Sequence, residues 1–221
     1  MNSQQSRRSA FTLIEMLVVI AIIAILAGFL LTAMSSSSQK AKTTKCVSFL
    51  RQIGTACIQY AGENDGMLPV TSHQRRSGQQ SWTLALQKYT AGTITFRCPA
   101  DEDKARVYTY LLNDFLTPSP AGAPDLDFSR LSRLESPGQT LMFAEASKEY
   151  ANADHFHFSE LRGQQVPPGT LEGQIAVKRH LGSANYLFAD AHVETLSWEQ
   201  AQARLREPGS RLIDPTAEIA K

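Results

Sequence analysis

The chain opens with ten polar residues that include Arg7 and Arg8, then turns apolar, and from Met16 to Met34 nineteen consecutive residues carry no charge. As a helix rising about 1.5 Å per residue, that run matches the roughly 30 Å hydrocarbon core of a bilayer and predicts one membrane span. The basic flank predicts a cytoplasmic amino terminus with the remainder translocated. A secretory signal would carry about 7 to 15 apolar residues followed by a small-residue cleavage site. Here the run is longer and the small residue, Ala10, precedes it. Glu15 interrupts the apolar pattern at its membrane end, where an unpaired carboxylate costs up to roughly 3 kcal/mol, so the pattern calls for a partner. Beyond Ser35–Ser38, the residues Gln39, Lys40, Lys42 and Lys45 restore polarity, and Val47, Leu50, Ile53, Cys57 and Ala61 recur at three- and four-residue spacings. Such spacing is that of an amphipathic helix. Serines are mediocre helix formers but not breakers, so one long helix from about Thr12 to Tyr60 is predicted, its first half in lipid and its second half packed on a globular head. Gly62-Glu63-Asn64-Asp65-Gly66 and Pro69 end it.

After residue 69 the periodicity shortens. Ser81–Tyr89 predicts a short second helix, and Val107–Leu112, Thr140–Ala144, Gln174–Lys178, Ala184–Ala189 and His192–Leu196 predict strands, mostly antiparallel. Trp198–Arg206 reads as a last helix, with Ser197 and Gln200 placed for a capping box. Gln74–Gln80, Thr117–Asp127 and Gln164–Gly169 are polar or proline-rich connections. The expected fold is α+β, a long amino-terminal helix packed on a small antiparallel sheet. The expected organisation is a leader over 1–10, an anchoring helix over 11–34 and an exported head over 35–221.

Composition adds limits. With 221 residues, 43% apolar and 19% charged, the chain has room for one small domain outside the apolar run. The formal charge is +1, and loss of Arg7 and Arg8 would take it to −1. That balance gives no electrostatic case for nucleic acid as a partner. Neither a Gly-x-Ser-x-Gly elbow nor a His-Glu-x-x-His motif is present, so no enzymatic role is expected.

Chemistry-bearing residues are scattered. Strand alternation would set Asp190, His192 and Glu194 on one face, and His180 completes a weak candidate set for calcium or another divalent cation. The plainer expectation is that Asp190 caps a turn, His180 ends a strand and His192 packs at the start of one; no cofactor is required. Asp154-His155-Phe156-His157 holds two histidines that face the same way only if extended, and a solvated loop or strand edge is expected there. Glu145 ends an apolar run and is expected to hydrogen-bond the loops of the head. Cys46 and Cys57 are eleven residues apart, which places them about 16 Å apart on one helix face, too far to bridge. Either can reach Cys98, and three reduced buried thiols are the alternative.

The residues Ala10-Phe11-Thr12-Leu13-Ile14-Glu15 and the apolar stretch after them resemble the cleavage and methylation segment of type IV prepilins and type II secretion pseudopilins. The resemblance implies that a prepilin peptidase and methyltransferase cuts between Ala10 and Phe11 and methylates the new amino terminus of Phe11. It also implies that Glu15 pairs with the terminal amine of a neighbouring subunit. The family has Gly before the cut; Ala10 is the next smallest residue, and slower cleavage is expected. Lys45–Gly54, Tyr60–Pro69 and Cys98-Pro99-Ala100-Asp101 further resemble prepilin-like proteins of planctomycete and verrucomicrobial bacteria. That group also shares a His, nine residues, Asp-Gly signature, and here His180 is followed after nine residues by Asp190-Ala191. The Asp-Gly reads as a hairpin turn with Gly at positive φ, so Ala191 implies either a changed turn or a strain of about 1 kcal/mol. Cys46 and Cys98 are the two cysteines that this group tends to carry, so the resemblance implies a disulfide between them and leaves Cys57 a buried thiol.

The function implied is that of a structural subunit of a pilus-like or pseudopilus filament, single-pass in the bacterial inner membrane with its head outside the cytoplasm, whose partners are other pilin or pseudopilin subunits. The alternative keeps the segment as an anchor only and makes the head a ligand- or metal-binding module.

Overall fold

The structure is a computed structural model that describes residues 12–73, 79–90, 92, 96–118, 127–151, 154–159, 167 and 169–218, without the side chains of 30–33 and 35. The expected leader, Ala10 and Phe11 lie outside these residues, as does most of the three expected connections. The chain forms two compact units, Met1–Lys40 and Ala41–Lys221.

One helix, α1 (Leu13–Glu63), runs where a long helix is predicted. In the first unit the described side chains from Leu13 to Phe29 are all exposed, including Ile14, Leu17, Ile20 and Ile23. Among the described residues, no helix is long and apolar enough to cross a membrane.

In the second unit α1 buries Cys46, Leu50, Ile53, Ala56, Cys57 and Ala61. Cys46 thus takes the core position that periodicity assigns to Val47, which is only half-buried. The other elements are α2 (Trp82–Ala85), β1 (Tyr110–Asn113), β2 (Leu141–Glu145), β3 (His155–Phe156), α3 (Thr170–Gln174), β4 (Ser183–Phe188), β5 (Val193–Ser197) and α4 (Trp198–Arg206). A 3-10 turn over Gln87–Tyr89 continues α2, so the predicted second helix is present in two pieces. The five strands lie in the order β3-β1-β2-β4-β5. β1, β2, β4 and β5 pair antiparallel, but β3 runs parallel to β1 with Leu112 beside His155, so the sheet is mixed.

Both faces of the sheet are covered. Tyr110, Leu112, Phe143 and Leu187 pack with α1, Trp82 and Phe96, whereas Leu111, Ala144, Tyr186 and Phe188 pack with Phe156, Leu196, Ala201 and Leu212. Double coverage leaves β1 and β2 buried at every position, which removes the alternating signal of a half-exposed strand. A register shift between Leu141 and Phe143 also breaks the alternation in β2.

One expectation fails here and another is met only in part. Gln174–Lys178 is not a strand: Gly169, at φ 83°, opens the short α3, and the segment meets the end of β2 through a single bridge from Ile175 to Ala146, with the Ala176 N–H donating to the Glu145 carbonyl at 2.7 Å. Its apolar residues Ile175 and Val177 are buried from a loop, so their alternation reported burial rather than a ladder. Asp154–His157 does take the strand edge allowed for it, since β3 is the outermost strand, but His155 is not solvated: the parallel pairing to β1 places it inside at 2% exposure.

The β4–β5 hairpin keeps its turn and accepts strain, since Ala191 sits at φ 71° and its N–H donates to the Phe188 carbonyl at 2.9 Å. The helix meets the sheet at this corner. A Cβ on Gly54 would lie 2.9 Å from Leu187 Cδ1 and 3.2 Å from the Ala191 Cα.

Candidate functional site

Four buried side chains from distant parts of the chain converge beneath α1. Cys46 comes from the core face of α1, Cys98 from the turn before β1, Glu145 from the end of β2 and His180 from the loop before β4. Their donor atoms all lie within 4.8 Å of one another, and the residues are 0, 1, 1 and 4% exposed respectively. The Cys46 thiol donates to Glu145 Oε1 at 2.6 Å, and Cys98 Sγ lies 3.6 Å from His180 Nε2. His180 Nε2 is 3.0 Å from each Glu145 oxygen, yet only Oε1 has the angle for a hydrogen bond, so Oε2 has no hydrogen-bond donor among the described residues.

A second ring of contacts orients these groups. Thr43 Oγ1 lies 3.2 Å from His180 Nδ1, Tyr110 Oη lies 3.1 Å from Cys46 Sγ, and the Ala100 N–H donates to Cys98 Sγ at 3.3 Å. Charge is distributed unevenly over the cluster. Burial pushes the Cys46 thiol far up, with Cys98 and Glu145 adding to it, while the neighbouring Cys46 and His180 together hold Cys98 below its ordinary value despite burial. Burial opposes a charge on His180, but its bonds to Cys98 and Glu145 outweigh that and raise it to about 9. Glu145 is lowered for the complementary reason: burial would raise it, and His180, Arg179 and the Cys46 bond prevail.

This grouping redistributes the residues singled out in the sequence. The bridge implied between Cys46 and Cys98 is not formed in this structure; both are free, and their sulfurs instead engage Glu145 and His180. Cys57 is a buried free thiol. His180 is separated from the set proposed with it, because Asp190, His192 and Glu194 gather at the β4–β5 corner. There His192 uses both ring nitrogens, Nδ1 to Asp190 Oδ1 at 2.5 Å and Nε2 to Glu194 Oε1 at 3.0 Å, and its ring stacks on Phe188. Glu194 is further clamped by Arg204 at 3.0 and 2.7 Å. The imidazole and one carboxylate are thus committed to hydrogen bonds, with a cation already alongside, which disfavours a divalent ion.

The histidine pair 155 and 157 gains a third member, His73, whose ring centroid lies 4.8 and 6.0 Å from theirs. These three nitrogens also converge closely enough to hold an ion, with Asp154 Oδ1 bonded to His155 Nδ1 at 2.7 Å. His73 is exposed, however, so this group is open on one side.

Sequence reading named each member of the buried cluster but not the cluster itself. Glu145 does bond a loop of the head, through His180, but its other partner is Cys46 on α1, and the two lie 35 and 99 residues away. Such separations hide a site from spacing rules, and the available local signal was only that Glu145 closes the apolar run Leu141–Ala144.

At the amino-terminal segment, Glu15 Oε2 accepts from the backbone N–H and the hydroxyl of Thr12, both at 2.8 Å. The carboxylate therefore closes the first turn of α1 within one chain. Residues 5–31 match the family model of the prokaryotic N-terminal methylation motif. No curated protein and no solved structure matches the chain. The matched motif points to a precursor like those of type IV pilins and pseudopilins, and so to a structural protein that is anchored in a membrane with its head outside the cytoplasm.

Proposed function

We propose that the chain is a structural subunit of a type IV pilus-like or type II secretion pseudopilus filament. A prepilin peptidase cuts after Ala10, the amino terminus of Phe11 is methylated, and Glu15 becomes the fifth residue of the mature chain. The mature subunit crosses the inner membrane once, in the uncharged run that the sequence continues to Met34. It then joins other pilin or pseudopilin subunits.

The observation that carries this reading is the coincidence of two features over the same residues. The methylation motif covers 5–31, and the described side chains of α1 from Leu13 to Phe29 are apolar and exposed apart from Thr12-facing Glu15. Isoleucines and leucines left in water forgo about 25 cal/mol for every Å² that lipid or neighbouring helices would cover. Assembly supplies that cover. Glu15 exchanges its Thr12 donors for the methylated amine of an adjoining subunit, a charge-assisted bond that fixes axial register.

Replacing Glu15 by Ala tests the reading. Filament recovery from sheared cells is expected to be lost while the protein remains in the membrane fraction. Filaments recovered at the wild-type level from Glu15→Ala cells would refute it and favour a head that binds a ligand. Mass spectrometry of the membrane-bound protein is expected to find N-methylated Phe11 at the amino terminus, and an intact leader would equally overturn the proposal.

A further inference from the structure

We infer that Cys46, Cys98, Glu145 and His180 form a structural zinc site. The inference is independent of the filament reading. It begins from the donor types: two sulfurs, one imidazole nitrogen and one carboxylate oxygen make the mixed set that a borderline-soft ion such as zinc accepts in four-coordinate geometry. With metal–sulfur bonds of about 2.3 Å and metal–nitrogen or –oxygen bonds of about 2.0 to 2.2 Å, a tetrahedral site has donor-to-donor edges of roughly 3.3 to 3.8 Å. Cys98 Sγ and His180 Nε2, at 3.6 Å, already span such an edge. With Glu145 Oε1 as the ligand, the His180–Glu145 edge at 3.0 Å needs to open slightly and the Cys46–Glu145 edge at 2.6 Å by about 1 Å. Rotation of the Cys46 and Glu145 side chains supplies that movement once the thiol proton between them is displaced.

The surroundings fit an ion as well as the donors do. Thr43 Oγ1 at 3.2 Å from Nδ1 holds the His180 ring with Nε2 toward the cluster and can accept a hydrogen bond from an Nδ1 proton, and Tyr110 and the Ala100 N–H bond the two sulfurs from outside. Outer partners of this kind hold ligands in orientation at metal sites. The Glu145 oxygen with no hydrogen-bond donor is a buried carboxylate lone pair only 3.0 Å from His180 Nε2. All four ligands are protein side chains nine-tenths or more buried, which leaves no open coordination position and makes the role structural rather than catalytic. The ion would tie α1 and the turn before β1 to the sheet, at the end of β2 and the loop before β4. Both sulfurs bind as thiolates and the imidazole through a deprotonated Nε2, so the protons held by Cys46, Cys98 and His180 Nε2 in the metal-free protein leave to solvent, with no change of oxidation state.

The test uses the full chain, purified in detergent without chelator and kept reduced. Elemental analysis is expected to find one zinc per chain, and replacement by cobalt is expected to give sulfur-to-cobalt charge-transfer absorption with the strong visible bands of a tetrahedral ion. Cys98→Ser and His180→Ala are expected to lose stoichiometric metal, Cys57→Ser to keep it, and Thr43→Val to weaken zinc binding about tenfold. The cobalt spectrum reads the wild-type chain, so the test stands even where a ligand variant fails to fold. The inference is overturned if reduced wild-type chain reconstituted with zinc or cobalt holds neither, or if the cobalt spectrum lacks a thiolate band. Metal that disappears in Cys57→Ser, or a Cys46–Cys98 disulfide in the exported protein, overturns it equally.

Discussion

Gly54 lies in the middle of α1, where helix propensity alone says that alanine should be better by about 1 kcal/mol. Packing says the opposite. The added Cβ would stand 2.9 Å from Leu187 Cδ1, 3.0 Å from Ala191 Cβ and 3.2 Å from Ala191 Cα. Leu187 is fully buried and cannot swing away, and the Ala191 backbone is held by the bonds that close the hairpin turn. Overpacking of this kind costs about 1 to 3 kcal/mol, so Gly54→Ala is expected to destabilise by about 1 kcal/mol net of propensity. Gly62, in the same helix with nothing within 4 Å of a Cβ, is the control, and Gly62→Ala is expected to stabilise by up to about 1 kcal/mol. Denaturant unfolding of the full chain in detergent, followed by the fluorescence of Trp82 in the helix-side core, compares the two. In a thermal scan the same difference is a downward shift of about 2 to 4 °C against an upward one. Adding Ala191→Gly should restore part of the loss, because it removes the 3.0 Å contact and relieves the positive φ. A Gly54→Ala chain as stable as Gly62→Ala would refute the close approach of α1 to the hairpin.

Two further outcomes follow from buried and half-buried polar groups. Asn113 is fully buried, donates to the carbonyls of Leu141 and Ile213 at 2.8 Å each, and accepts from the Phe115 N–H; Asn113→Ala strands these partners and is expected to cost about 2 to 4 kcal/mol in denaturant unfolding. His192 is raised above 6.5 because Glu194 and Asp190 outweigh the burial that opposes its charge, with Arg204 on the far side of Glu194. Its stabilising contribution is complete below the unfolded value near 6.5 and is lost as pH rises through the higher folded value, so the stability gap between wild type and His192→Gln should shrink as pH rises above 6.5. Using the difference between the two chains cancels the titration of His180, and a gap that widens with pH would contradict the assignment.

Legibility varied with how local each signal was. α4 came out with its Ser197–Gln200 capping box intact because the cap is made by residues three apart. α1 was equally plain, since a long 3.6-residue period needs no distant partner to be seen. β3 was missed because two residues paired parallel to β1 carry no pattern of their own. Gln174–Lys178 was misread because apolar alternation reports which side chains are buried, and a loop over the second core produces it as readily as a strand.

By itself, then, the sequence determined the processing motif, the long helix, its exposed apolar segment and the capped last helix, all properties of contiguous residues. It also named Cys46, Cys98, Glu145 and His180 singly. Only the tertiary structure decided that these four meet, that His192 belongs to a different corner, and that Gly54 is required by contact rather than tolerated in a helix. The physical reason is the same in each case. Convergence of side chains dozens of residues apart is set by how α1 packs on a sheet covered on both faces, and no periodicity along the chain encodes that distance.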